Sequence, residues 1–109
     1  MKVAVYFIPP VLLGGGEIRT LEVLSRFPKD SYVLLAPRNV KERAVEAAVR
    51  LGLREELVSI LREAYELRDY KCGNMLCSIG YRRYVERVAE GLGADLFIGH
   101  SLDPGQITS

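Results

Sequence analysis

Residues 2–8, from Lys2 to Ile8, form an almost unbroken apolar run that stops at Pro9-Pro10. A half-solvated strand would alternate apolar with polar residues, and this run does not. Its β-branched and aromatic side chains instead predict a strand buried on both faces, typical of parallel sheets with helices on each side. Pro9 and Pro10 cannot donate ladder hydrogen bonds, so pairing ends there.

The next residues predict one βαβ unit. After Gly14-Gly15-Gly16, the residues Ile18, Leu21, Leu24 and Phe27 fall on one helical stripe. Arg19, Glu22 and Arg26 lie off it, and Pro28 stops the helix. Lys29-Asp30-Ser31 makes a turn into a second buried strand, Tyr32 to Ala36, closed by Pro37. Parallel neighbours joined in this way require a right-handed crossover.

Asn39 followed by Glu42 resembles a capping box. It opens a helix through about Leu51, with Gly52 as a left-handed end cap. Over residues 54–68, Leu57, Leu61, Ala64 and Tyr65 have helical spacing, and Arg54, Glu55, Glu56, Arg62, Glu63 and Glu66 make a charged opposite face. A helix is the preferred reading, although Leu57 to Leu61 alone also fits a short strand. Asp69 to Ser78 reads as irregular, with a turn at Gly73-Asn74. Tyr81, Tyr84, Val85, Val88 and Leu92 mark the last helix, which Gly93 ends. Ala94 to Gly99 is the third strand, followed by a loop from His100 to Gly105.

The expected fold class is therefore α/β. It is a three-layer, Rossmann-like parallel sheet of about three strands with flanking helices, in a single domain over residues 1–109. A sheet this small leaves edges that invite pairing with a second copy, so a homo-oligomer is one expectation. A strand followed by loop residues up to Ser109 reads as a truncated piece of a longer protein, or as a chain completed by a partner.

Composition narrows the function classes. Charges nearly balance at net +1, which argues against a dedicated nucleic-acid binder. No apolar run reaches the roughly 18 residues of a membrane span, and Lys2 alone is a poor signal-peptide n-region. A cytoplasmic protein is expected. Only Asn39, Asn74 and Gln106 carry side-chain amides, and scarce thermolabile amides fit a heat-adapted source.

Three features bear on chemistry. Gly14, Gly15, Gly16 and Glu17 open a helix, where glycines permit close approach and positive φ and unpaired N–H groups attract phosphate or sugar oxygens. The spacing is neither a dinucleotide fingerprint nor a P-loop, and a plain turn is the competing reading. His100, the sole histidine, follows a strand's C-terminal end, on the same rim as the glycine turn. Asp103 is a weaker companion, because Asp-Pro-Gly is first a turn sequence. Cys72 and Cys77 are spaced wrongly for the usual C-x-x-C half-site, and with one histidine a four-ligand zinc site lacks ligands. Free thiols are the default reading and a disulfide the alternative. No metal or cofactor is expected. Within Tyr81-Arg82-Arg83-Tyr84 the tyrosines sit on the apolar stripe and the arginines face solvent, which outweighs a nucleic-acid reading.

Three segments together, Met1 to Tyr6, Gly14 to Glu17, and Ala94 to Ser101, resemble the N-terminal domain of GT-B-fold glycosyltransferases, above all the retaining group-1 family (family 4). Residues 40–78 match only in general α/β character. The resemblance implies an acceptor-side domain, with a nucleotide-sugar donor held chiefly by a second, C-terminal domain across a cleft and a hydroxyl acceptor on this side. It maps the glycine loop that approaches donor phosphates and acceptor onto Gly14, Gly15 and Gly16. It maps the family histidine, which contacts the sugar near the reacting centre, onto His100. Ile98 stands where the family has the first histidine of His-x-His. The paired-glutamate motif of the second domain is absent, so the fragment alone is expected to be inactive. The alternative reading is a non-catalytic flavodoxin-like binding or regulatory module, and a thiol redox protein is a third.

Overall fold

The computed structural model describes residues 2–7 and 13–100, with His100 described by its backbone alone. Four strands form one parallel sheet: β1 (Val3–Phe7), β2 (Tyr32–Pro37), β3 (Tyr65–Leu67) and β4 (Leu96–His100). Their spatial order is β3-β2-β1-β4. The helices are α1 (Gly15–Leu24), α2 (Arg38–Arg50), α3 (Glu55–Arg62) and α4 (Met75–Gly91), with a short 3₁₀ turn at Lys29–Ser31. The fold is α/β and Rossmann-like, with four strands rather than about three.

The extra strand corrects the helix expected over residues 54–68. That helix ends at Arg62, and Tyr65–Leu67 pairs with Leu35–Pro37 of β2. Local spacing favours helix throughout the segment, but β2 has a second edge whose N–H and C=O groups need partners. Three residues of β3 satisfy it, and only a distant part of the chain reveals that need. Pro37 therefore closes β2 as its last paired residue.

The direction of each crossover assigns the layers. The chain moves from β1 to β2 to β3 one way along the sheet, then returns from β3 past β2 and β1 to β4. Right-handed crossovers then place α1, α2 and α3 on one face and α4 on the other. The two cores agree. Val5, Phe7, Leu34 and Ala36 pack with Leu21, Leu24, Ala44, Ala48, Leu57 and Leu61. Ala4, Tyr6, Leu35 and Leu67 pack with Tyr81, Val85 and Ala89. Successive strand residues alternate between these clusters, which explains why β1 carries no polar position.

Several local expectations change for tertiary reasons. Gly52 (φ 72°) adopts the expected left-handed conformation that ends a helix without a Cβ penalty, and Gly93 (φ 82°), expected only to end α4, adopts it too. Asn39 does not cap α2, which starts one residue earlier at Arg38 after Pro37. Its amide instead reaches the chain beyond β3, donating to the Tyr70 carbonyl at 2.9 Å and accepting from the Tyr70 N–H at 3.0 Å. Asn74 is the helix cap: its Oδ1 accepts from the Cys77 N–H at 2.8 Å, so α4 begins at Met75, inside the stretch expected to be irregular. Phe27 lies beyond the end of α1 and is 55% exposed rather than part of the buried stripe.

Candidate functional site at the strand-order reversal

In open parallel sheets, ligands collect beyond the C-terminal ends of strands where the strand order reverses. Here β1 is flanked by β2 on one side and by β4 on the other, so the reversal lies between β1 and β4. Phe7 at the end of β1 is the register partner of His100 at the end of β4. The helix that follows β1 starts at the glycine turn, with Gly14 as its N-cap. The fold thus brings the Gly14–Gly16 turn and the His100 backbone to one rim. Asp103 lies outside the described residues.

The turn differs in detail from a bare anion pocket. The Gly14 N–H donates to the Glu17 carboxylate oxygen Oε1 at 3.0 Å. Glu17 is only 2% exposed and is the one charged residue within the described core. This is half of a capping box: the N3 glutamate reaches back, while Gly14 has no side chain to return the bond. A carboxylate at the first turn offsets the positive end of the helix dipole. Glu17 therefore acts on the helix end itself rather than standing free to meet a ligand.

The glycines do not depend on unusual backbone geometry. Gly14 has φ −100°, and the left-handed glycines among the described residues are Gly52 and Gly93. The positive φ expected of the turn is thus not used at Gly14, Gly15 or Gly16. A Cβ on Gly15 would meet nothing within 4 Å, so the space above the first helical residue is open. The Gly16 carbonyl accepts from Thr20 Oγ1 at 2.9 Å, which locks the first turn from the other side.

Gly16 also lines an apolar groove of about 650 Å³ between α1 and β4. Its walls include Val3, Val5, Val23, Phe27, Tyr32 and Ile98, with Arg19 as the only charged residue lining it among the described residues. Burial, and then nearby Glu63, push the Tyr32 hydroxyl above its ordinary pKa. The groove exists because β4 has a helix over the Phe97 face, whereas Leu96 and Ile98 on the other face remain 47% and 45% exposed.

Asp95, in a segment that carries the family resemblance, sits just before β4, at the opposite, N-terminal end of the strands. It accepts from the Lys2 N–H at 3.0 Å, and its own N–H donates to the Lys2 carbonyl at 2.7 Å. That clasp sets the register of β4 against β1. Asp95 therefore positions His100 from five residues away without approaching the rim.

The other polar constellation lies where β3 meets α4, and sequence reading missed most of it. The Tyr81 hydroxyl donates to the Arg68 carbonyl at 2.6 Å, and the Arg68 N–H donates to the Tyr84 hydroxyl at 3.1 Å. The Arg68 guanidinium lies 4.3 Å from the Tyr84 ring centroid. Tyr70 and Ser78 share a hydroxyl hydrogen bond of 2.8 Å. Burial, and then neighbouring tyrosines, raise the Tyr6 and Tyr81 hydroxyls far above their ordinary pKa. As expected of the α4 stripe, Tyr81 is buried while Arg82 and Arg83 are exposed.

Cys72 and Cys77 are joined by a disulfide, which replaces the default reading of two free thiols. The Asn74 cap turns the chain so that their Cα atoms stand 5.3 Å apart, within bridging range. Spacing alone lacked the signal, because the cap folds a six-residue stretch into one tight loop. Among the described residues no cluster of His, Cys, Asp and Glu is arranged to hold a metal ion. No described helix is long and apolar enough to cross a membrane. Compared with protein-family models, curated proteins and solved structures, the chain matches none of them significantly.

Proposed function

We propose that this chain is the acceptor-side domain of a sugar transferase and binds a hydroxyl-bearing ligand in the crevice above the β1–β4 boundary. The observation that carries the reading is the pairing of Phe7 with His100 at the reversal of strand order. It makes neighbours of the strand leading to the glycine turn and the strand ending in the sole histidine. The chemistry comes from the resemblance to GT-B glycosyltransferases in the segments around Met1 to Tyr6, Gly14 to Glu17 and Ala94 to Ser101.

In this reading a nucleotide-sugar donor is held mainly by a second domain. The acceptor hydroxyl oxygen forms the new glycosidic bond as the bond between the anomeric carbon and the leaving diphosphate breaks, and the hydroxyl proton passes to the departing diphosphate. Gly15 leaves room for close approach, and His100 stands beside the transferring sugar. The Glu17 carboxylate favours a neutral acceptor over a phosphate at the α1 end, because the helix dipole there already has a counter-charge. Residues 1–109 alone are expected to bind acceptor without turning over donor.

The first test is an NMR titration of the 109-residue chain with neutral glycosides and, separately, with nucleoside diphosphates. Glycosides should shift amides at Gly14–Ile18 and Gly99–His100, and Gly15→Val should abolish the response. Shifts confined to other regions, or none with any glycoside, would sink the assignment. The second test is nucleotide-sugar turnover by the chain joined to a donor domain. Unchanged turnover in Gly15→Val and His100→Ala would remove the transferase roles. Glycoside binding without turnover would favour the non-catalytic flavodoxin-like module.

A further inference from the structure

Cys72 and Cys77 take no part in the rim described above, yet their surroundings are those of an exchange site rather than a structural staple. Cys77 is exposed and is the third residue of α4. A sulfur at a helix N-terminus is stabilised as thiolate, because unpaired N–H groups and the dipole favour negative charge. Cys72 is half-buried against the α4 core. The two sulfurs therefore differ in access, as an attacked and a resolving sulfur must.

Two further observations point the same way. Met75 and Leu76, inside the bridged stretch at the start of α4, are 77% and 81% exposed, and Ile79, just after it, is also exposed. Large apolar side chains beside an accessible disulfide form a surface on which another protein can dock. The loop also has its own supports. Asn39 holds the Tyr70 backbone through two hydrogen bonds, Tyr70 bonds Ser78, and Asn74 caps α4. None of these hydrogen bonds runs through the bridge sulfurs, so each can persist when the bridge opens.

We infer that the Cys72–Cys77 disulfide is a reversible thiol–disulfide exchange site that reacts with a protein dithiol docked on Met75, Leu76 and Ile79. One thiolate of the partner attacks Cys77 Sγ. The Cys72–Cys77 bond breaks, and Cys72 leaves as a thiolate that takes up a proton. The partner's second thiolate then attacks its own sulfur in the mixed disulfide and expels Cys77 as a thiolate, which the α4 end stabilises. The partner dithiol is oxidised to a disulfide, and its two electrons reduce the Cys72–Cys77 bridge to the dithiol. In the reverse direction, Cys77 is the attacking thiolate and Cys72 the resolving one.

The test uses the intact 109-residue chain in graded mixtures of reduced and oxidised dithiothreitol. Samples are acid-quenched, alkylated and weighed, and circular dichroism is recorded on each mixture. The expected result is one reversible two-electron transition with unchanged helical signal. A single-thiol thioredoxin variant should be trapped on the wild-type chain, with the linkage mapped to Cys77. In Cys72→Ser, the Cys77 thiol should react with iodoacetamide at pH 7 about tenfold faster than free cysteine. Loss of helix on reduction, a bridge that stays closed, no trapped adduct, a linkage at Cys72, or a Cys77 rate equal to free cysteine would each overturn the inference.

Discussion

The two faces of the sheet are held by different physics. On the face covered by α1, α2 and α3, the buried core is almost wholly aliphatic, from Leu21 and Leu24 to Leu57 and Leu61. On the α4 face, tyrosines dominate: Tyr6 and Tyr81 have ring centroids 6.4 Å apart, and Tyr70 meets Tyr81 edge-on at 5.1 Å. Aliphatic packing is non-directional and rewards filled volume. Tyrosine hydroxyls demand partners when buried, and here those of Tyr81 and Tyr84 find the backbone of Arg68 while that of Tyr70 finds the side chain of Ser78. The first face therefore supplies cohesion. The second also fixes where the chain runs after β3, and so where the disulfide stands.

The sharpest way to break this contrast is to cut volume on the first face. Leu21→Ala should lower unfolding free energy by about 3 kcal/mol in denaturant titration, since Leu21 is fully buried. High pH should act on the second face. Tyr6 and Tyr81 have raised pKa values when folded, so the folded chain keeps protons that the unfolded chain releases above its ordinary value of 10.0. Stability is thus fully present below pH 10 and falls as pH rises further, by about 1 kcal/mol per tyrosine at pH 11. Tyr6→Phe and Tyr81→Phe should each flatten that fall, whereas Leu21→Ala should not.

Asn39→Ala should cost about 1–2 kcal/mol, because it strands the Tyr70 N–H and carbonyl together. Hydrogen exchange should quicken around Tyr70 and remain unchanged in α1. Tyr81→Phe removes one hydroxyl bond and should cost about 1 kcal/mol at neutral pH. The smallest effect belongs to neither face. The Glu46–Arg50 pair on α2 is 71–72% exposed, so Glu46→Gln should change stability by less than about 0.5 kcal/mol.

How far the sequence could be read follows from the range of each interaction. β1, β2 and β4, most of the helical stripes, the left-handed Gly52 and the helix stop at Gly93 were legible because each rests on local pattern or backbone chemistry. β3 was not, because the demand for it comes from the free edge of β2 some thirty residues earlier. Asn39 was misread for the same reason: its local capping offer loses to a partner 31 residues away. For the candidate site, the shared rim of Gly14–Gly16 and His100 followed from strand direction alone. The adjacency of β1 and β4 and the buried carboxylate at Gly14 did not.

By itself, the sequence determined a parallel α/β sheet and an open glycine turn at the start of its first helix. Apolar runs, prolines and glycines act within a few residues of themselves, so their message survives without context. Only the tertiary structure decided that β4 lies beside β1, which pairs Phe7 with His100. It also decided that Glu17 answers the Gly14 N–H and that Cys72 meets Cys77. Those outcomes depend on which free edges and unpaired polar groups the rest of the chain leaves to be satisfied, and no short stretch of residues carries that information.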